Sequence, residues 1–324
     1  MITLYSLEGG RLAQGTVEGS MSSLPDQAVW IDLSSPTREE EALVEQLVGV
    51  GVPTHDEMQE IETSSRLYTE DGATVMTMSV LHKANKNGAF SSSPVTFILF
   101  DVYLVTVRYA DPAPVAQFVA KAKRHSGLAS SSHQILLGLL EHSADYLADI
   151  LENATADLEG LSQTIFTTET KPGLSTPSYR EAISRIGQVG DLATKAKGSL
   201  LNLTRLLLFF ATKENAEPEV KERMKVLMQD ASSIDEHARF LSAKVSFLMD
   251  ATMGLINLEQ NNIIKMFSVA AVIFLPPTLI ASLYGMNFDY MPELAWHYGY
   301  VFAILLMILS TAIPLWLFWR KKWL

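Results

Sequence analysis

Two uncharged stretches near the C-terminus decide the fold. They are Met266–Met286, with the sequence MFSVAAVIFLPPTLIASLYGM, and Tyr298–Trp319, with the sequence YGYVFAILLMILSTAIPLWLFW. Each has about the ~20 residues that an α-helix needs to cross the hydrocarbon core of a bilayer. A buried hairpin of a soluble protein is the alternative, but two such runs in tandem favour two transmembrane helices.

Basic residues lie at the outer ends of this pair of stretches but not in the loop that connects them. Lys265 precedes the first stretch and Arg320, Lys321 and Lys322 follow the second, whereas the loop between them, residues 287–297, has no Lys or Arg. Basic residues collect on the cytoplasmic side of membrane proteins. We therefore expect both termini in the cytoplasm.

The composition restricts the chemistry of the chain. It has 324 residues, no cysteine and a formal net charge of -11, so disulfide frameworks and cysteine-ligated metal sites are excluded. The first 80 residues hold 14 Asp and Glu but 3 Lys and Arg, and they start with neither the basic region nor the apolar run of a signal peptide. Such an acidic segment favours cations over nucleic acid as partners.

Residues 1–125 predict a cytoplasmic α/β domain with a mixed sheet. Ala28–Leu33 is typical of a strand, and the helix after it is expected to start with Ser35 as the N-cap and Pro36 as its first residue. No internal repeat is present.

Two hairpins are predicted in the same domain. Arg66–Thr69 and Ala73–His82 flank a Glu-Asp-Gly turn, and Val95–Phe100 is followed closely by Tyr103–Tyr109. Short β-branched and aromatic runs separated by turn residues are typical of hairpins.

Beyond residue 130 the pattern becomes helical. Helices are predicted from His133 to about Thr168 and from Pro177 to about Lys213, with breaks at Pro172-Gly173 and at residues 214–218. No proline interrupts the chain from Glu219 to the first apolar stretch, which predicts one helix of about 66 residues that would be ~100 Å long.

These patterns give a predicted domain order. It is the α/β domain at 1–125, a cytoplasmic helical bundle at 126–218, a stalk helix at 219–265, a first transmembrane helix at 266–286, an outer loop at 287–297, a second transmembrane helix at 298–319 and a basic cytoplasmic tail at 320–324.

One face of the long helix is polar or small almost throughout. We call this face the polar stripe; steps of three and four residues select Asp250, Gly254, Asn257, Asn261, Ile264, Ser268, Ala271, Leu275, Thr278, Ser282 and Gly285. A single stripe cannot enclose water, so the pattern predicts a symmetric homo-oligomer whose copies line a pore. The alternative is that small residues only let membrane helices pack closely.

Several residues of the polar stripe suit a cation pathway. Asp250 would form a carboxylate ring at the inner mouth, Leu275 a dry constriction and Thr278 a ring of hydroxyls. Pro276-Pro277 removes two backbone donors inside the span, which we expect to leave carbonyls free beside the pathway.

The end of the first stretch resembles a known family. Gly285-Met286-Asn287, the loop Met291-Pro292-Glu293-Leu294, a last apolar stretch and a basic tail together resemble the CorA family of magnesium and cobalt channels. Upstream, the similarity continues through Phe247-Leu248-Met249, Asn257–Asn261 and Phe274–Thr278.

The resemblance implies an α+β membrane protein and a function. The expected assembly is a funnel-shaped homopentamer in the bacterial inner membrane that imports Mg²⁺, and also Co²⁺ or Ni²⁺, down the membrane potential. Asn287 would then be the selectivity site, supported by Gly285 and Met286. A ring of neutral amide oxygens suits Mg²⁺, which dehydrates reluctantly and is held through its waters.

Acidic residues outside the polar stripe are further candidates. Asp289 and Glu293 on the outer loop would raise the local cation concentration. Family members close when intracellular Mg²⁺ binds between cytoplasmic domains, and the candidates for that site are Glu70, Asp71, Asp230 and Asp235. For each of these six residues the alternative is ordinary solvated charge.

Other functions lack sequence support. The chain has no phosphate-binding GxxxxGK[ST] element, no GxSxG nucleophile motif and no pair of histidines at helical spacing. We therefore expect no enzyme activity, no nucleotide and no cofactor, with Mg²⁺ as transported and regulatory ion and the lipid bilayer as surroundings. Two rivals stay open: a zinc transporter of the same superfamily and a non-conducting Mg²⁺ sensor anchored in the membrane.

Overall fold

The computed structural model describes residues 1–16, 24–25, 27–84, 89–167, 176–213, 218–287, 289, 291–292 and 294–321. The chain divides into two compact units, residues 1–249 (unit 1) and 250–324 (unit 2). The predicted breaks at Pro172-Gly173 and at residues 214–217, the acidic Glu293 and the basic Lys322 lie outside the described residues.

A seven-stranded mixed sheet forms the centre of the first half of unit 1. Its spatial order is β2-β1-β3-β7-β6-β5-β4, and β3 and β7 pair in parallel while the neighbouring pairs are antiparallel. The strands are β1 (Ile2–Glu8), β2 (Arg11–Thr16), β3 (Ala28–Ser34), β4 (Leu67–Glu70), β5 (Ala73–Lys83), β6 (Phe90–Leu99) and β7 (Leu104–Arg108). The predicted mixed sheet and both predicted hairpins are confirmed.

The hairpin of β1 and β2 was not predicted from the sequence, and neither was the antiparallel pairing of β5 with β6. Strands β1 and β2 pair antiparallel around Gly9 and Gly10, whose φ angles are 58° and 74°. Glycine adopts such positive φ values without a steric penalty, so the Gly-Gly turn is the signal that would have identified this hairpin.

The predicted start of the first helix is wrong. Helix α1 spans Arg38–Val48 and its N-cap is Thr37, which forms a capping box with Glu40. Ser35 instead adopts a φ of 44° and donates its backbone N–H to the carbonyl of Arg108 at 2.7 Å. Threonine followed three residues later by glutamate satisfies two free backbone donors at once, and this local pairing outweighs the Ser-Pro signal.

Seven further helices complete the described part of the chain, and the last two reach into or lie within unit 2. They are α2 (His55–Met58), α3 (Thr63–Arg66), α4 (Ala113–Arg124), α5 (Ser132–Thr167), α6 (Thr176–Lys213), α7 (Pro218–Tyr284) and α8 (Gly299–Arg320). The three long helices predicted from His133, Pro177 and Glu219 are confirmed, with starts that differ by one residue. Helices α2, α3 and α4 were not predicted individually.

The sheet has an apolar cluster on each face. On one face Trp30 and Phe97 pack with Phe118 of α4 and Phe210 of α6, and on the other Ile31 and Val105 pack with residues of α1 and α2. Fully burying side chains of this size contributes about 1.5–3 kcal/mol each. The sheet is therefore covered on both sides within unit 1.

A buried ion pair joins the two parallel strands. Asp32 of β3 and Arg108 of β7 are 2% and 8% exposed, and two Arg108 nitrogens donate to the carboxylate at 2.9 and 3.1 Å. Thr106 donates to the same carboxylate at 2.7 Å and accepts from the Trp30 indole. Burial alone lowers the pKa of Arg108, but the hydrogen bonds and charge of Asp32 outweigh it, so that pKa lies above its usual value.

Three polar contacts join α5 to the first half of α7. Arg223 binds both carboxylate oxygens of Glu141, His237 lies 3.0 Å from the Thr155 hydroxyl, and Lys244 lies 3.1 Å from Glu159. Partner numbers rise together along both helices, so the helices run parallel. These contacts make the first part of α7 an integral element of unit 1.

Candidate ion pathway

Unit 2 contains the two apolar stretches as helices. The last part of α7 and the whole of α8 are long and apolar enough to cross a membrane, and almost none of their residues is buried within the chain. Because apolar side chains without a protein partner require an apolar solvent, this exposure agrees with a position in lipid.

The polar stripe lies on an exposed face of α7. All eleven stripe residues, from Asp250 to Gly285, are exposed in the single chain. Asp250, at the beginning of the stripe, is its one charged residue. The neighbouring charged residues Glu259 and Lys265 project from other faces of the helix. Apart from Asp250, Ile264 and Leu275, the polar stripe is thus a continuous face of small and uncharged polar side chains that no other described element of the chain covers.

The opposite face of α7 is the one that faces α8. Its residues share partial burial; they are Val269, Ala270, Val272, Ile273, Pro276, Pro277, Ile280 and Tyr284. At about 100° per residue this face is centred roughly 180° from the polar stripe. The hydroxyl of Thr311 on α8 marks the contact, because it lies 3.3 Å from the Ile273 carbonyl.

This contact corrects one expectation about the two prolines. Pro277 has no N–H to donate to the carbonyl four residues earlier, which is that of Ile273. That carbonyl does not lie free beside the polar stripe as predicted; it accepts the Thr311 hydroxyl on the α8 side. The carbonyl that Pro277 leaves without its backbone partner is therefore engaged between the two helices of one chain.

Two hydroxyls on the polar stripe have their protons engaged. Ser268 donates to the Ile264 carbonyl at 2.8 Å, and Thr278 donates to the Phe274 carbonyl at 2.6 Å. Serine and threonine commonly donate to the carbonyl four residues earlier in a helix. With their protons held in this way, the hydroxyl oxygens keep lone pairs for donors in the surroundings.

The Gly-Met-Asn motif lies just beyond the end of α7. The N–H of Gly285 bonds to the carbonyls of Ala281 and Ser282, and that of Met286 bonds to Leu283, so the helical turn continues past Tyr284. A Cβ at Gly285 would lie 3.2 Å from the Ala281 carbonyl oxygen, which is tighter than most Cβ contacts. Asn287 is the first residue past this turn and its side chain is exposed.

The acidic candidates occupy different surroundings. Asp289 is exposed beyond Asn287, whereas Glu293 lies outside the described residues. Glu70 and Asp71 are exposed at the β4–β5 turn and Asp230 is exposed on α7, but Asp235 is ion-paired with Arg239 at 2.7 Å. The arginine four residues along the helix is the signal that sequence reasoning overlooked for Asp235.

Within the part of the chain that the structure describes, no three His, Asp or Glu side chains are grouped so that they could hold a metal ion. Glu70, Asp71, Asp230 and Asp235 are therefore not brought together by one chain.

Aromatic side chains are exposed near both ends of α8. Trp296, Tyr298 and Tyr300 lie at its start and Trp316 and Trp319 near its end, where Arg320 stacks on Trp316 at 5.4 Å. Amphipathic rings are favoured at the boundary between lipid and water. Trp323 lies outside the described residues.

Sequence reasoning missed one residue of this region. Thr311 is a polar residue within an uncharged apolar helix, and polar side chains in that setting commonly bond across to a neighbouring helix. That general tendency was the available signal, although the identity of its partner needed the structure.

Comparisons with known proteins identify the family of the chain. A family model described as "CorA-like Mg2+ transporter protein" matches residues 25–322. The proteins named "Magnesium transport protein CorA" from Salmonella typhimurium (strain LT2) and Escherichia coli (strain K12) are each 37% identical over 325 residues, with 100% of both chains covered. The solved structure of the CorA magnesium transporter from Methanocaldococcus jannaschii has a TM-score of 0.76 at 19% identity and covers 100% of this chain and 99% of its own, which shows a shared fold. The chain therefore belongs to the CorA-like family of Mg²⁺ transporter proteins.

Proposed function

We propose that this protein is a passive channel that imports Mg²⁺ and that also passes Co²⁺ or Ni²⁺. Membership of a transporter family and two full-length relatives named as magnesium transport proteins support this proposal. The observation that carries it is the polar stripe, which is exposed along unit 2, faces away from α8 and leads to Asn287. A helix that served only as an anchor would have no need of hydroxyls and amides through the bilayer.

A homopentamer would convert the polar stripe into a pathway. One stripe cannot enclose water, but copies arranged around an axis would face one another with their exposed sides. The half-buried face of α7, opposite the stripe, would stay against α8 of the same chain and leave the stripe for the axis. That the assembly has five copies is what the resemblance to the CorA family implies.

The lining suits a cation that keeps its waters. Water bound to Mg²⁺ points its hydrogens outward and so needs acceptors along the wall. Ser268 and Thr278 offer oxygen lone pairs because their protons are donated to the helix backbone. A ring of Asn287 amide oxygens would act in the same way at the outer end, and neutral groups release the ion more readily than carboxylates.

The remaining stripe residues have graded roles in this proposal. Five copies of Asp250 would concentrate cations at the inner mouth, and five copies of Leu275 would form a dry constriction. Asp289 and Glu293 would attract cations to the outer entrance, an effect that weakens with salt.

The membrane potential supplies the driving force. The proposed location is the bacterial inner membrane with both termini in the cytoplasm, so that cations enter towards the negative side. A divalent ion that crosses 100 mV gains ~4.6 kcal/mol, from ~2.3 kcal/mol per charge. No nucleotide hydrolysis is needed for uptake of this kind.

Closure by intracellular Mg²⁺ is the proposed regulation. Glu70 and Asp71 at an exposed turn and Asp230 on α7 are available to a second copy, whereas Asp235 would first have to leave Arg239. Carboxylates from adjacent chains repel, and a bridging cation would favour the symmetric closed form.

The decisive experiment is Mg²⁺ influx into proteoliposomes. We expect influx into vesicles with an inside-negative potential, and we expect Asn287→Ala to abolish it while the pentamer stays assembled. Asn262→Ala is the matched control, because Asn262 is an exposed asparagine of α7 that lies off the polar stripe.

Each outcome separates the rivals. Full influx by an inserted Asn287→Ala pentamer would overturn the selectivity assignment. Influx of Zn²⁺ without Mg²⁺ would identify the zinc transporter, and a folded pentamer that passes neither ion would identify the sensor.

A further inference from the structure

One hydrogen bond joins the two helices of unit 2 at the position of the proline pair. The Thr311 hydroxyl of α8 lies 3.3 Å from the Ile273 carbonyl of α7 and also 3.3 Å from the Met307 carbonyl of its own helix. A threonine hydroxyl has one proton. It therefore donates fully to only one of these two carbonyls at a time.

The Ile273 carbonyl has the greater need of that proton. In an α-helix it would accept the N–H of residue 277, but residue 277 is proline and has none. The Met307 carbonyl accepts the Ser310 hydroxyl at 2.7 Å and is also within reach of the backbone N–H of Thr311. An unpaired carbonyl in a lipid environment costs several kcal/mol, which favours donation to Ile273.

The location of the bond connects it to the polar stripe. Ile273 belongs to the half-buried face of α7, about 180° from Leu275 and Thr278 on the stripe. Residues 278–287 follow the proline pair and include the outer part of the polar stripe with the Gly-Met-Asn motif. A bond at Ile273 therefore holds this outer part at the point where its own backbone bonding is interrupted.

We propose that the Thr311 hydroxyl is a positioning group that replaces the hydrogen bond lost at Pro277. In this way it fixes the position of the outer part of the polar stripe relative to α8. It touches no ion and acts through the backbone of α7. The link to Mg²⁺ passage rests on the proposed function, whereas the replacement of the lost bond does not.

The test is a double-mutant cycle of Thr311→Val and Pro277→Ala. Valine keeps the shape of threonine without the hydroxyl, and alanine at 277 restores the backbone N–H. If the hydroxyl serves the carbonyl freed by Pro277, we expect Thr311→Val to lower the maximal influx about three- to tenfold in the Pro277 background, the range that one hydrogen bond between membrane helices supports. In the Pro277→Ala background the same change should have little effect.

Two further variants distinguish positioning from general packing. Thr311→Ser keeps the hydroxyl and should restore influx, and Ser310→Ala removes the neighbouring hydroxyl, which bonds only within α8 in the described contacts, and should leave influx unchanged. The external Mg²⁺ concentration for half-maximal influx should be the same in all variants because Thr311 does not contact the ion.

The same cycle is also measured by thermal unfolding of the full chain in detergent. A coupling between the two substitutions in this measurement supports the bond even if the wild-type protein passes no ion, which would be a failure of the proposed function alone. Additive effects on unfolding, or an equal loss of influx in both backgrounds, would overturn the proposal.

Discussion

Unit 1 and unit 2 solve the problem of burial in different ways. Unit 1 covers both faces of its sheet and even pairs a buried charge with Asp32 and Arg108. In unit 2, among the described residues, Ala303 is the one buried hydrophobic side chain. A single chain therefore completes unit 1 by itself, whereas unit 2 depends on surroundings that the chain alone does not provide.

The exposed surface of unit 2 is itself of two kinds. Phe267 and Phe274 are large, apolar and about 69% exposed, which suits lipid. The polar stripe is also exposed, but it carries hydroxyls and amides, which suit contact with water and with the stripe of a second copy. The difference teaches that the chemistry of exposed residues, rather than their exposure, distinguishes a lipid-facing surface from a pathway.

The largest expected effect concerns the buried charge of unit 1. Asp32→Ala should lower the free energy of unfolding of unit 1 by about 3–5 kcal/mol, because it leaves the Arg108 guanidinium buried without its main partner. Amide hydrogen exchange of strands β3 and β7 in the full chain would measure this loss.

A matched control uses the other partner of the same arginine. Asp111 also pairs with Arg108, but its side chain is 88% exposed. Asp111→Ala should therefore change the unfolding free energy by less than about 1 kcal/mol. Equal losses for the two variants would show that unit 1 does not depend on the buried pair.

The second effect compares two leucines of α7. Leu275→Ser should raise Mg²⁺ influx about tenfold, because it removes an apolar constriction and lowers the barrier by about 1.4 kcal/mol. Proteoliposome influx at low internal Mg²⁺ measures it.

Leu279 provides the comparison for this variant. It is exposed to nearly the same degree, 63% against 66%, but lies off the polar stripe. Leu279→Ser should leave the influx rate close to that of the wild-type protein. A similar rise in both variants would contradict the distinction between stripe and lipid face.

The smallest effect is a pH dependence that belongs to unit 1. A hydrogen bond from the N-terminal ammonium group, and then one from the Thr37 backbone N–H, hold the pKa of Glu40 below its usual value. A carboxylate with a lowered folded pKa stabilises the protein above its unfolded pKa of about 4.3, and this stability is lost as the pH falls through the folded value.

The lowered pKa of Glu40 determines how the stability should change with pH. Below about pH 4.5 the unfolding free energy of the wild-type protein should fall more steeply than that of Glu40→Gln, by less than about 1 kcal/mol in total, since the pair is at the surface. Glu39→Gln removes the same charge without these two hydrogen bonds and is the control. Parallel curves of unfolding free energy against pH for the wild-type protein and Glu40→Gln would show that Glu40 does not cause the pH dependence.

The sequence predicted those features that depend on local periodicity. The absence of proline between Glu219 and Pro276 predicted one long helix, and steps of three and four residues placed the polar stripe on one face of it. Both are properties of a single helix and need no knowledge of distant residues.

Features that depend on distant partners were not predicted. Asp32 and Arg108 are 76 residues apart in the chain, and their pairing requires the parallel register of β3 and β7. The Thr311 hydroxyl likewise bonds to the carbonyl of Ile273, which is 38 residues away in the chain. The helix start was wrong for a local reason, because Ser35-Pro36 and Thr37-x-x-Glu40 are competing signals only two residues apart.

The parallel contacts between α5 and α7 have a consequence for biosynthesis. Arg223, His237 and Lys244 all precede Met266, so the side chains that complete unit 1 are synthesised before the first apolar stretch. At about 5–20 residues per second, roughly 13–50 s of translation come before that stretch is made. The order of synthesis thus gives the sheet of unit 1 time to form before either apolar stretch is available for insertion into a membrane.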